Sequence, residues 1–261
     1  MSKRNFYRLK WMIWSSFALA FFLSFFHRIS PAVIADYIMV DFGISATMVG
    51  TISSVYFYIY LLMQIPTGVL SDTIGPRKTV IYGSIIAAIG SLIFSFATSV
   101  TIAILGRLLI GLGVSVAFIC TLKIQAIWFK AKEFSMMMGM LTLISTFGSI
   151  AATTPLAFIS DKFGWRIIFI FSAVLSIITA ILCYLSCSKF PRKYRNEIKE
   201  KLSLRKSFPI VLRNPQTWFC SLIHFAFLGS YITFNGLWGI PYLMQIYEFD
   251  RIDAANVIIV F

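Results

Sequence analysis

Seven stretches of roughly 20 or more mainly apolar residues, with charges pushed into the gaps between them, constrain this 261-residue chain more than any other feature. Backbone in hydrocarbon must satisfy its own hydrogen bonds, and runs of this length do so as helices. The runs predict spans near residues 11–38, 46–70, 79–98, 101–122, 135–158, 166–187 and 217–244, with an eighth starting near Asp253 and reaching Phe261. Composition agrees. Residues are 59% hydrophobic and only 13% charged, against about half and a quarter in a soluble domain. So few polar side chains cannot cover a soluble globule; the remaining surface faces lipid. The fold class is an all-α membrane protein.

The loops set the orientation through their Lys and Arg. With the N-terminus inside, the inner segments hold eighteen: Lys3, Arg4, Arg8 and Lys10, then Arg77 and Lys78, then Lys123, Lys130 and Lys132, and nine from Lys189 to Arg213. The outer segments hold three, Lys162, Arg166 and Arg251. This asymmetry predicts a multi-pass protein of the bacterial inner or plasma membrane with a cytoplasmic N-terminus. The net charge of +13 is then an orientation signal with some attraction to anionic lipid, and no nucleic-acid partner is expected. The first run is too long for a cleaved signal peptide and reads as a retained anchor. The four cysteines, Cys120, Cys183, Cys187 and Cys220, fall in or beside apolar runs. They read as buried free thiols, with no metal site.

One break in organisation stands out. Residues 188–214 are polar, basic and proline-bearing, so they separate a six-helix bundle (1–187) from an incomplete second bundle (215–261). Residues 193–206 within that linker could lie as an amphipathic helix on the inner surface. The bundle also repeats. Pro66, Ser71, Asp72, Gly75 and Arg77 return 89 residues later as Pro155, Ser160, Asp161, Gly164 and Arg166. Repetition of hydrophobic segments marks secondary transporters, whose sites form between repeated helix bundles.

At these residues the chain resembles the major facilitator superfamily. Gly68-x-x-x-Asp72-x-x-Gly75-x-Arg77-Lys78 looks like its helix 2–3 signature, although Thr73 stands where a basic residue is usual. Arg107-x-x-x-Gly111 is similar to its helix 4 signature, and Gly164-Trp165-Arg166 to the helix 5–6 turn of many members. Within the superfamily, F-F-H-R-I-S-P-A-V-I-A-D in span 1 and G-L-W-G-I-P-Y-L in span 7 look like the organic-anion and sugar-phosphate permease groups. The resemblance implies a six-helix bundle of 3+3 inverted repeats, helix 7 and the start of helix 8 of a twelve-helix fold, and alternating access around a central cavity. It also implies that the chain is a fragment or a truncated product. The helix 2–3 signature would act as a gate by docking the second half.

Chemistry supplies the rest. Gly75 and Pro76 force a tight reversal, and Gly68 allows close backbone approach. Asp72 sits at a helix C-terminus, where the macrodipole disfavours an anion, so a cation should compensate it; Arg77 is the local candidate. Arg28 lies deep in span 1, where a charge costs several kcal/mol or more unless it faces a polar cavity or partner. It reads as a substrate-facing anion binder, the plainer alternatives being snorkelling or a pair with Asp36. Arg107 is either a second substrate contact or a packing residue donating to carbonyls. Tyr56, Tyr60 and Gln64 share one helical face, a cavity wall or an interhelical seam. Asn235 and Trp238 in span 7 could form the opposite wall. His27 and Asp36 are the candidates for a coupling proton. Thr142, Ser145, Thr146, Ser149 and Thr153, interleaved with Gly139 and Gly148, read first as a packing face.

The absences matter too. Span 4 carries Val114 where some proton-coupled relatives carry a glutamate, and no span interior offers the carboxylates a cationic substrate would need. No Walker loop, H-E-x-x-H, G-x-S-x-G or paired-carboxylate motif occurs, so neither an enzyme nor a cofactor is expected. The expectation is a symporter or antiporter whose partners are a small anionic solute and membrane lipid, with a proton as the candidate coupling ion. A solute sensor of the same fold and an inactive remnant are the alternatives.

Overall fold

The computed structural model describes residues 3–187, 212–234, 239–249, 253 and 257. The chain divides into two compact units, one ending at Lys201 and the other beginning at Leu202. The expected linker 188–214 lies almost wholly outside the described residues, as do its candidate amphipathic helix and most of the eighth run.

The first unit is entirely helical among its described residues: α1 (Lys3–Val33), α2 (Ala35–Phe42), α3 (Ala46–Thr73), α4 (Pro76–Ser95), α5 (Val100–Val114), α6 (Val116–Trp128), α7 (Ala131–Ala151), α8 (Thr154–Phe163) and α9 (Trp165–Cys187). Six helical segments are long and apolar enough to cross a membrane. Two spans are joined pairs, α5 with α6 and α7 with α8, and a third break at Ile34 divides α2 from α1. Two of these breaks follow proline chemistry, because Pro31 and Pro155 supply no N–H to the turn before them. The sequence runs therefore marked the spans but not their breaks. The basic N-terminal residues also join α1 instead of preceding it.

Two apolar cores hold the spans together. At the end where α1 starts, the first end, Ile13, Trp14 and Phe17 pack with Cys120 and Ile124 of α6 and Met137 of α7. At the second end, Ile34, which precedes α2, and Ile38 of α2 pack with Ile52, Phe94, Trp165 and Phe169. The stretch of α1 between these cores carries Ser24, His27, Arg28 and Ser30. Burial is uneven: the windows of spans 1, 3 and 4 are more than half buried, whereas spans 2 and 5 are 17% and 22% buried.

Glycines set the closest helix contact. Gly83 and Gly90 on α4, seven residues apart, meet Gly106 and Gly113 on α5, also seven apart. A Cβ on Gly113 would lie 2.4 Å from the Ala87 nitrogen and 2.5 Å from the Gly83 oxygen. Gly148 of α7 likewise sits on α1, where a Cβ would be 2.5 Å from the Phe22 oxygen. Gly68 does not act this way. No described atom lies within 4 Å of its Cβ position, so the close approach expected of it is absent from this bundle.

The second unit contains α10 (Pro215–Thr233) and α11 (Gly239–Tyr247). Asn214 caps α10 by accepting from the Gln216 amide at 3.0 Å, with Pro215 in the first turn. Cys220, expected to be buried, is exposed on α10; Cys120 and Cys183 are buried as expected.

Candidate functional site

Two polar layers lie side by side in the middle of the first bundle. The inner layer is fully enclosed. Arg107 of α5 is 0% exposed, and its Nη1 donates to the His27 carbonyl of α1 at 3.0 Å. That carbonyl is special: Pro31, four residues on, has no N–H to give it. The guanidinium carbon also lies 5.0 Å from the Tyr56 ring and 5.9 Å from the Phe94 ring. Its Nε and Nη2 have no hydrogen-bond partner among the described residues. His27 places Nε2 3.5 Å from the Ser91 hydroxyl, while its Nδ1 has no partner among the described residues. Tyr56 donates to the Ser24 carbonyl at 2.9 Å.

The second layer is half-buried. Arg28 places its guanidinium carbon 4.6 Å from the Phe25 ring and 5.2 Å from the Tyr60 ring, a cation–π arrangement. Tyr60 is flanked by Arg28 and Gln64, and Gln64 donates to the Tyr60 carbonyl at 3.1 Å. The Tyr56 and Tyr60 rings, stacked 6.0 Å apart, join the layers. The face expected to hold Tyr56, Tyr60 and Gln64 therefore divides. Tyr56 is an interhelical seam residue, whereas Tyr60 and Gln64 stand beside Arg28.

Arg28 makes no ion pair with Asp36, and no described carboxylate contacts Arg28 or Arg107. Asp36 lies in the first turn of α2 and is not among the partners of His27. Of the span 5 polar set, Ser145 and Gly148 face inward. Thr142 and Thr146 are exposed and bond back to carbonyls of their own helix. Asn235 and Trp238 lie outside the described residues.

At the first end, the pairing expected of the 2–3 turn is corrected. Asp72 pairs with Lys123 of α6, not with Arg77, and Lys123 also donates to the Ser71 carbonyl at 2.8 Å. Arg77 turns instead to α9, donating to the Tyr184 carbonyl at 2.8 Å. Lys123 was legible only as a loop charge. Nothing in the spacing brings span 4 to Asp72. Lys78, the last residue of the signature, is exposed. Gly75 has φ 87° and ψ 152°, a conformation open in practice only to glycine.

Six described helical segments long and apolar enough to cross a membrane define a multi-pass membrane protein. The chain belongs to the Major Facilitator Superfamily, whose sequence model matches residues 14–261. It is 31% identical over 185 residues to the probable L-galactonate transporter of Escherichia coli, covering 68% of this chain and 40% of that protein. It is 24% identical over 262 positions to the hexuronate transporter of the same organism, covering 95% and 60%. Its fold matches the inward-facing, unoccupied crystal structure of a bacterial homolog of the human lysosomal transporter Spinster. The TM-score is 0.70 at 20% identity, covering 98% of this chain and 59% of that one. The chain spans about half the length of the curated relatives it matches.

Proposed function

We propose that the protein is a secondary active permease that moves a small hydrophilic organic anion across the membrane by alternating access. The observation that carries this reading is Arg28. A guanidinium in the middle of a span, held against two aromatic rings with no partner for its Nε and no carboxylate partner among the described residues, is a fixed positive charge awaiting an anion. A planar fork matches a carboxylate in a bidentate manner. Arg107 lies behind it as a second positive charge, joined through the Tyr56–Tyr60 stack. Hexuronate and galactonate, the solutes named for two relatives, are small hydroxylated carboxylates of the kind these groups would bind.

Tyr60 and Gln64, beside Arg28, are the further candidate solute contacts of the first unit, and Asn235 and Trp238, outside the described residues, are candidates from the sequence alone. His27 holds Arg107 through its carbonyl, and its Nδ1, without a partner among the described residues, supports a role in carrying a coupling proton, with Asp36 the outer candidate. Asp72, Gly75, Arg77 and Lys78 belong to the gating turn, Gly68 to the helix face leading into it. The charge asymmetry supports an N-terminus in the cytoplasm and a place in the bacterial inner or plasma membrane.

The test is uptake of radiolabelled D-glucuronate and L-galactonate by cells producing the protein. Arg28→Gln should abolish uptake, and Arg28→Lys should keep part of it. Wild-type uptake by Arg28→Gln would remove Arg28 from the site.

A further inference from the structure

The two repeated turns form the same contact in both copies. Arg77 is the second residue of α4, and its Nη2 donates to the Tyr184 carbonyl in the last turn of α9 at 2.8 Å. Arg166, 89 residues after Arg77, is the second residue of α9. Its Nη1 donates to the Ser95 carbonyl at the end of α4 at 2.9 Å and to the Ala97 carbonyl at 2.8 Å. Tyr184 is itself 89 residues after Ser95. Donor and acceptor are therefore both carried from one repeat to the other by a single offset. The turns agree in backbone as well: Gly75 has φ 87° and ψ 152°, Gly164 φ 80° and ψ 151°.

The physics favours this exchange. The last carbonyls of a helix have no intrahelical donor, and the C-terminus attracts cations. An arginine in the first turn of its own helix sits at the wrong end of its own dipole. Because α4 and α9 run antiparallel, that position is beside the right end of the neighbour's. The rings differ: Arg77 lies 5.1 Å from the ring of Tyr184, its acceptor residue, and Arg166 4.7 Å from the ring of its own neighbour Trp165. The second clamp is reinforced, since Ser95 donates its hydroxyl to the Arg166 carbonyl at 2.8 Å, and Asp41 accepts from Arg166 at 3.3 Å and from the Trp165 indole at 2.8 Å.

The carboxylates of the two turns take no part in these clamps. Asp72 bonds Lys123 of span 4, and Asp161 accepts from Tyr37 of α2.

We propose that Arg77 and Arg166 are reciprocal positioning residues, each capping the C-terminus of the other's helix, so that α4 and α9 stay in register at both membrane faces and move as one body. The arginine of the gating turn is thereby a static fastener. Only the link from this clamp to transport rests on the permease reading; the clamp itself does not.

Hydrogen–deuterium exchange of the purified protein in lipid nanodiscs, read by mass spectrometry over residues 92–97 and 181–187, tests it without any flux assay. Arg77→Gln should speed exchange at 181–187 about tenfold and leave 92–97 unchanged. Arg166→Gln should do the reverse. Lys78→Gln, which removes the same charge one residue on, should alter neither segment. Where a glutamine variant does not accumulate, the corresponding lysine variant is measured, with intermediate exchange expected at the opposite helix end. Wild-type rates at that end in the arginine variants, or equal fraying with Lys78→Gln, would overturn the proposal. The exchange readout needs no transport, so absence of uptake by the unsubstituted protein would fail the permease reading and leave the clamp standing.

Discussion

Arg107 donates to the His27 carbonyl, the acceptor that Pro31 leaves without its helical N–H. Proline thus creates a vacancy in α1, and an arginine from α5 fills it. The contact explains how a guanidinium can be 0% exposed with no carboxylate beside it.

It also makes a prediction about coupling. Arg107→Leu orphans a buried carbonyl and should destabilise the protein by about 1–3 kcal/mol. In a Pro31→Ala background the new N–H can bond to His27, so the same substitution should cost less. A double-mutant cycle on thermal unfolding in detergent measures the difference. Additive effects would mean that Pro31 and Arg107 do not share this carbonyl.

How much of this was legible in the sequence differs from group to group. The first six spans were, because about 20 apolar residues in a row have few alternatives in a membrane protein. The 89-residue repeat was legible too, though the crossed contacts it encodes were not, since they join residues 107 and 71 positions apart. Arg77 looked like the partner of Asp72 because it is five residues away. Lys123 takes that place because folding brings the end of span 4 beside the end of span 2. Tyr56 and Tyr60 share a helical face, yet one is buried and the other half-buried. Periodicity places residues on a face without saying where the neighbouring helix ends.

The glycine seam between α4 and α5 yields a second prediction. Gly113→Ala forces a methyl to within 2.4 Å of backbone, which a side-chain movement cannot relieve. The helices must part, at a cost of about 1–3 kcal/mol or more. Gly139→Ala, on the open side of α7 with nothing within 4 Å, should be neutral or stabilising by up to about 1 kcal/mol, because alanine is the better helix former. Melting temperatures of the two variants should move apart. Equal shifts would show that the seam is looser than its geometry.

The pair between Asp72 and Lys123 gives the third. Asp72 ends α3, where the helix dipole disfavours its charge, and Lys123 supplies compensation while also holding the Ser71 carbonyl. The Asp72 side chain is 45% exposed and that of Lys123 21%, so solvent screens the attraction. The coupling should be about 0.2–1 kcal/mol. Asp72→Asn combined with Lys123→Gln should therefore be slightly less destabilising than the two single effects added. Arg77→Gln should add independently to Asp72→Asn, because its acceptor is on α9. The same unfolding cycle separates the cases. Strong coupling of Asp72 to Arg77, with none to Lys123, would restore the local pair that the spacing suggested and refute the partner seen here.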